Sequence, residues 1–234
     1  MSVVVSTRDD GDFNLEANPH PIVLQRCRGL IDRPWTLLSE RHGVQAVEIA
    51  EPGAGFGAVG DIVTTALTET VVGVWVGDCA PVALWSDAGR IAAVHAGWRG
   101  LVAGVLDRAV ETLAGPAGPG RVESGRVESG PARGGDGDLY AFVGPTIGPC
   151  CYEFGETDLA QVAAAVGATH EQIARVETDG ALSLDVVAAV RAALERRGVS
   201  VSADGRCTGC DLDLYSHRRR SESGRHVLGV WRSG

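Results

Sequence analysis

The chain has 234 residues, 44% of them hydrophobic, which suffices for one large domain or two small ones with a sizeable core. Its formal net charge is -9 at pH 7, opposite to the basic excess that marks nucleic-acid binders. All 21 basic residues are arginine, so a lysine Schiff base, a pyridoxal enzyme and a Walker phosphate loop are excluded.

The opening "MSVVVSTRDDGDF" is too short and too soon acidic for a secretory signal, and no apolar run approaches the ~18 residues of a membrane span. Cytoplasmic residence is the expectation. The six cysteines are then read as free thiols or metal ligands rather than a disulfide framework. In "SERHGVQAVEI", His42 precedes a glycine that permits a close turn, and "QAVEI" alternates like the start of a strand. Alone, such a histidine reads as a surface residue.

Val71–Val76 ("VVGVWV") reads as a buried strand. "GDCA" interrupts it, "PVALW" resumes as a second strand through Trp85, "SDAG" turns, and Arg90–Val94 is a third. From Arg99 to Leu113 the pattern becomes helical, with Leu101, Val105, Leu106, Val110 and Leu113 apolar. A glycine-rich tract with the direct repeat "RVESGRVESG" follows; residues from about 115 to 138 read as a flexible surface insertion within a single domain 1–234.

Leu139–Val143 is a further strand and ends in "GPTIGPCCYEFG". Helices are expected at Thr157–Val166, near Glu171–Val176 and at Ser183–Arg197, where Gly198 stands in the position of a C-terminal cap. Val199–Val201 and His226–Trp231 are the last strands. No dinucleotide glycine fingerprint follows a strand. The fold class is therefore α/β (α+β): one domain, a mixed β-sheet flanked by helices.

Cys79 lies just before one strand and His95 ends the next. If "PVALW" and "RIAAV" form a hairpin, the thiol and the imidazole return to one sheet edge, with strands about 5 Å apart. Two imidazoles and a thiolate suit zinc with one open position, as in catalytic sites, and copper fits the same donors. Cys207 and Cys210 have zinc-like spacing, but no second pair with suitable spacing completes four ligands, so no metal is expected there. Cys150 and Cys151 are expected to pack in a tight turn.

In order along the chain stand "GDCAPVAL", "AAVHAGWRGLVAGVL", "GPTIGPCCYEFG", "CT" at Cys207–Thr208 and "SHRRRSESGR". Together they resemble the YfiH family, labelled polyphenol oxidase or laccase-like and also described as purine nucleoside phosphorylases. The resemblance runs from "STRDDGDFNL" to the C-terminus. It implies that His42, Cys79 and His95 bind one zinc, and that the enzyme splits purine nucleosides with phosphate and deaminates adenosine. "ERHG" stands where the family has "QVHG", "TRDDG" where it has "TRxGG", and "SHRR" where it has "SYRR", which puts His217 at a tyrosine position.

With that resemblance, Arg99 at a helix start is expected to hold phosphate. Asp78 is expected to orient a ligand or take a proton, and Arg218 (or Arg219) and Arg8 to contact the anion. Trp98 covers the site or packs. Three further readings stand beside this one: a cysteine hydrolase with Cys79 as nucleophile and His95 as base, cleaving an amide of a cell-wall precursor; a copper phenol oxidase; and a metal-binding protein without turnover. Expected partners are small molecules, with neither nucleic acid nor membrane.

Overall fold

The hairpin expected between Cys79 and His95 is the centre of the molecule. In the computed structural model, which describes residues 1–113, 138–176 and 181–233, the elements are β1 (Ser2–Val5), α1 (His20–Leu30), β2 (Trp35–Leu37), β3 (Ala46–Ile49), β4 (Ile62–Thr65), β5 (Val71–Val76), β6 (Ala80–Ser86), β7 (Ile91–Ala96), α2 (Trp98–Ala103) and α3 (Val105–Leu113). They continue with β8 (Leu139–Val143), α4 (Glu156–Val166), α5 (His170–Ile173), β9 (Ala174–Val176), β10 (Leu182–Leu184), α6 (Val186–Glu195), β11 (Val199–Ala203), α7 (His217–Arg220) and β12 (His226–Trp231).

The mixed sheet is present as two sheets. One has six strands in the order β11-β8-β6-β7-β4-β3, and the other has four, β1-β12-β5-β2; β9 and β10 pair separately. Strands β6 and β7 are antiparallel, while β8/β11, β3/β4 and β2/β5 are parallel. Side chains alternate across the hairpin as strand geometry demands. Val82, Leu84, Ala92 and Val94 join the core beneath α3, α4 and α6. Ala83, Ile91 and Ala93 face the other way and meet Val72, Val74, Leu228 and Val230 of the second sheet. Trp35, Leu37, Val71 and Trp75 then cover that sheet's outer face with Val23 and Cys27 of α1. The result is four layers, helix–sheet–sheet–helix. Strands β5, β6 and β7 lie inside, which is why they read as continuous apolar runs.

Helix α3 buries Val105, Leu106, Ala109, Val110 and Leu113, a single stripe at helical spacing. Each of its leucines contributes about 1.5–3 kcal/mol by leaving water. The single helix expected over Arg99–Leu113 is two. Gly104 adopts φ 85°, a left-handed conformation that ends α2 and lets α3 start in a new direction. The helix expected from Ser183 starts at Val186 instead. Ser183 and Leu184 pair in β10, and the Asp185 carboxylate caps the helix by accepting from the Ala188 N–H at 2.9 Å. The segment near Glu171–Val176 is one helical turn followed by β9. The glycine-rich tract lies outside the described residues, apart from Asp138. Among the described residues, no helix is long and apolar enough to cross a membrane.

Candidate metal centre

Register brings the three expected ligands together. Ala80 pairs with Ala96 and Pro81 with His95, so Cys79, one residue before β6, stands beside the end of β7. His42 arrives from the connection between β2 and β3, held at φ 59°. Its Nε2 is 3.8 Å from Cys79 Sγ, its ring centroid is 4.7 Å from that of His95, and one ligand atom from each of the three lies within 4.8 Å of the others. A tetrahedral zinc with ordinary bond lengths sets nitrogen and sulfur about 3.6 Å apart, so the donor set fits the ion. Gly97 leaves the space for this approach: a Cβ there would stand 2.7 Å from the His42 ring and 3.0 Å from Cys79 Sγ.

One carboxylate holds both histidines. Asp61, directly before β4, lies 2.9 Å from His95 Nδ1 and accepts from the backbone N–H groups of Arg41, His42 and Gly43. The bond fixes His95 with Nδ1–H toward Asp61 and leaves Nε2 for the metal. The three N–H groups make an anion nest that stabilises the left-handed turn at His42. Burial would raise the Asp61 pKa, but the His95 bond and the backbone donors outweigh it and hold it below the usual range. A second buried carboxylate, Glu40, accepts from the Trp75 N–H at 2.9 Å and stands 3.5 Å from His95 Nδ1. Burial pushes it up to about 8, against the pull of His95. Burial works against charge on His95 as well, but Glu40, Cys79 and Asp61 together raise it well above the usual value. Burial would likewise raise the Cys79 thiol; the His95 charge and hydrogen bonds to both histidines bring it down to about 6. The sequence reading missed Asp61 and Glu40. An acidic residue set directly against an apolar strand, as in "GDIV", was the signal available for Asp61.

Asp78, the neighbour of Cys79, is buried at φ 108°. Its carboxylate accepts from Thr208 Oγ1 (2.6 Å), Ser216 Oγ (2.7 Å) and the Arg218 N–H (2.6 Å). Its carbonyl accepts from Thr146 Oγ1 and the Ile147 N–H. Asp78 therefore ties the turn carrying Cys79 to two distant loops. Arg218 also lays its guanidinium 4.8 Å from the centroid of the Tyr152 ring. The exposed Arg99 sits over Trp98 at 4.5 Å, and Trp98 in turn packs edge-on against Phe154. Burial pushes the Tyr152 phenol up to about 12; the Cys79 and Asp78 charges act in the same direction, and Arg218 and Arg99 oppose them. Arg8 lies elsewhere, donating to the carbonyls of Leu212 and Leu214 and pairing with Glu222 at 2.8 Å.

A cavity of about 490 Å³ opens on the three ligands and is lined also by Glu40, Arg41, Trp75, His217 and Arg225. Separately, the structure corrects the expectation for the remaining surface cysteines. Cys207 and Cys210 do have a second pair, the adjacent Cys150 and Cys151, and all four sulfurs lie within 4.8 Å of one another.

Comparison with known proteins places the chain in a family and matches its fold. Residues 6–233 match the family model described as multi-copper polyphenol oxidoreductase laccase. A Pseudomonas aeruginosa protein named purine nucleoside phosphorylase is 32% identical over 197 residues, 83% of this chain and 72% of that protein. A Deinococcus radiodurans protein with the same name is 33% identical over 223 residues, 91% of this chain and 79% of that one. Among solved structures, a Neisseria meningitidis protein superimposes with TM-score 0.78 at 23% identity, covering 99% of this chain and 94% of its own. The Bacillus licheniformis hypothetical protein YfiH does so with TM-score 0.77 at 18% identity, covering 95% and 85%.

Proposed function

The chain belongs to the family described as multi-copper polyphenol oxidoreductase laccase, and on that premise we propose that it is a zinc-dependent purine nucleoside phosphorylase. The Pseudomonas aeruginosa and Deinococcus radiodurans relatives are named purine nucleoside phosphorylase. The observation that carries the reading is the convergence of His42, Cys79 and His95 within 4.8 Å of one another at the wall of a cavity of about 490 Å³, large enough for a nucleoside.

Phosphorolysis requires phosphate close to the anomeric carbon, tolerance of positive charge on the ribose, and stabilisation of the departing base. Zinc, when bound, supplies a Lewis acid for negative charge on oxygen. Arg99 and Arg218 attract and orient the phosphate, the guanidinium fork being matched to that anion. Asp78 positions Cys79, and Asp61 positions both histidines. His217 on the cavity wall donates a proton to the leaving purine. Arg8 serves the loop beneath Arg218. Adenosine, inosine, guanosine and 5′-methylthioadenosine are the substrates of this proposal, and deamination of adenosine at C6 is a second activity of the same site. The site is assigned to a protein acting inside the cell.

Copper phenol oxidation, as the family description suggests, is the weaker reading. Among the described residues there is one centre of mixed histidine and cysteine ligands, whereas reducing oxygen to water takes four electrons and several copper ions. A cysteine hydrolase is favoured by one observation, the approach of His42 Nε2 to the Cys79 thiol at 3.8 Å. Incubation of zinc-loaded protein with adenosine or inosine and phosphate, followed by product separation, tests the proposal. Free base and ribose 1-phosphate are expected, lost in His95→Ala and after chelation. Zinc-loaded protein that gives no product from either nucleoside overturns it. Amide hydrolysis that survives chelation and stops on alkylation of Cys79 puts the hydrolase in its place.

A further inference from the structure

The parallel pair β8–β11 starts two loops side by side. Val143 and Ala203 are register partners at the ends of the two strands, and a Thr146–Cys207 bridge extends the pairing. The first loop carries Cys150 and Cys151 in a one-turn helix. The second carries Cys207 and Cys210 in a tight turn, in which the N–H groups of Cys210 and Asp211 bond to the Cys207 carbonyl.

From this arrangement we infer that Cys150, Cys151, Cys207 and Cys210 form a second, structural zinc site, separate from the His42–Cys79–His95 centre. Sulfur separations are 3.7 Å for Cys150–Cys207 and 3.5 Å for both Cys150–Cys210 and Cys151–Cys210. A tetrahedron with zinc–sulfur bonds of about 2.3 Å has edges of about 3.8 Å. A disulfide would bring two sulfurs to about 2.0 Å. Four sulfurs within 4.8 Å of one another with no bonded pair fit a tetrathiolate cage.

Three further features belong to such a cage. The Gly148 N–H donates to Cys207 Sγ at 3.1 Å; a backbone donor of this kind stabilises a ligating thiolate. Gly209 is required by space, because a Cβ there would stand 2.7 Å from both Cβ and Sγ of Cys151. The Arg220 guanidinium donates to the carbonyls of Gly209 (2.9 Å) and Thr208 (3.1 Å), setting a positive charge beside a centre whose net charge would be negative. Soft thiolates in a closed tetrahedron select zinc among abundant divalent metals, and four protein ligands leave no position for substrate. The ion staples together the two loops that donate to Asp78 through Thr146, Ile147 and Thr208, and so supports the turn that presents Cys79.

The test is metal content and thiol reactivity of the full-length protein, purified after growth with zinc and then desalted. Elemental analysis is expected to give about two zinc per chain, falling to about one in Cys210→Ser and also in His95→Ala. Cys150 and Cys210 are exposed, so alkylation followed by peptide mapping reports on them directly. All four thiols should resist the reagent in the zinc-loaded protein and react after chelation. This second readout uses only the wild-type chain and stands even where the serine variant does not fold. Unchanged zinc content in Cys210→Ser, immediate alkylation of Cys150 and Cys210 in zinc-loaded protein, or peptides joined by disulfides would overturn the site. Iron in place of zinc would overturn the choice of metal.

Discussion

Asp61 and His95 are joined by a hydrogen bond of 2.9 Å between buried partners, and the same carboxylate gathers the N–H groups on either side of His42. The candidate metal centre is therefore organised from a residue outside the His42–Cys79–His95 group. In Asp61→Asn the amide oxygen can serve either the imidazole or the nest, and its NH2 opposes a donor in the other place. Zinc affinity of the centre, read by competition with a chromogenic chelator, is expected to fall about 10- to 100-fold while the fold is kept. An unchanged affinity would mean that the ligands hold their places without Asp61.

Gly97 tests the closeness of the ligands. In Gly97→Ala the new methyl would press on the His42 ring and on Cys79 Sγ at 2.7 and 3.0 Å. The backbone there has φ −74°, which alanine adopts freely, so strain is confined to these side-chain contacts. Zinc bound by the histidine–cysteine centre should weaken at least about tenfold, with a far-UV spectrum unchanged from wild type, since cores resist overpacking by a single methyl. Full zinc affinity in the alanine variant would show that His42 has room to move aside.

Buried His226 predicts an acid limit to stability. Burial lowers its pKa to about 4, the Arg206 and Arg225 guanidiniums act in the same direction, and the Pro145 carbonyl opposes them. The unfolded chain takes up this proton near pH 6.5, the folded chain only near 4, so the unfolded state binds more protons between the two. Stability is thus complete above about pH 6.5 and declines as pH falls toward 4, by roughly 3 kcal/mol at most from this group. Urea unfolding at a series of pH values should show the decline in wild type and a shallower slope in His226→Gln. Parallel slopes for the two proteins would assign the acid sensitivity to other groups.

The sequence carried the centre of this fold and less of its periphery, for physical reasons. Strands β5, β6 and β7 are buried on both faces, so their apolar runs are unbroken, and the tight turn "SDAG" dictates the hairpin that pairs Cys79 with His95. Helix α1 buries only Val23 and Cys27 and shows little periodicity to read. Ser183 and Leu184 share the apolar spacing of the helix that follows, and only the pairing with β9 makes them a strand. His42 was legible through its motif alone. For Asp61 the local signal, an acid set directly against the apolar strand in "GDIV", points to a buried carboxylate but not to its partner, which is 34 residues away. The four-cysteine cluster was hidden more deeply. Its halves are nearly sixty residues apart, the Cys150–Cys151 spacing is not that of a zinc turn, and the two meet only because β8 and β11 run parallel.

Arginines at two places separate substrate binding from support. Arg99 is exposed and rests on Trp98, so removing its guanidinium costs little stability, within about 0.5–1 kcal/mol for an exposed cation–π contact. Arg8 bonds two carbonyls and Glu222 beneath the loop that carries Ser216 and Arg218; truncating it removes three hydrogen bonds, although Arg220 still donates to Leu214 and to Glu222, and costs about 1 kcal/mol. On the phosphorylase reading, Arg99→Ala should raise the KM for phosphate about tenfold or more, with the KM for nucleoside and the Tm nearly unchanged. Arg8→Ala should lower the Tm and leave the ratio of the two KM values as in wild type. A phosphate KM unaffected by Arg99→Ala would move anion binding away from the α2 end of the site, toward Arg41 and Arg225 on the cavity wall.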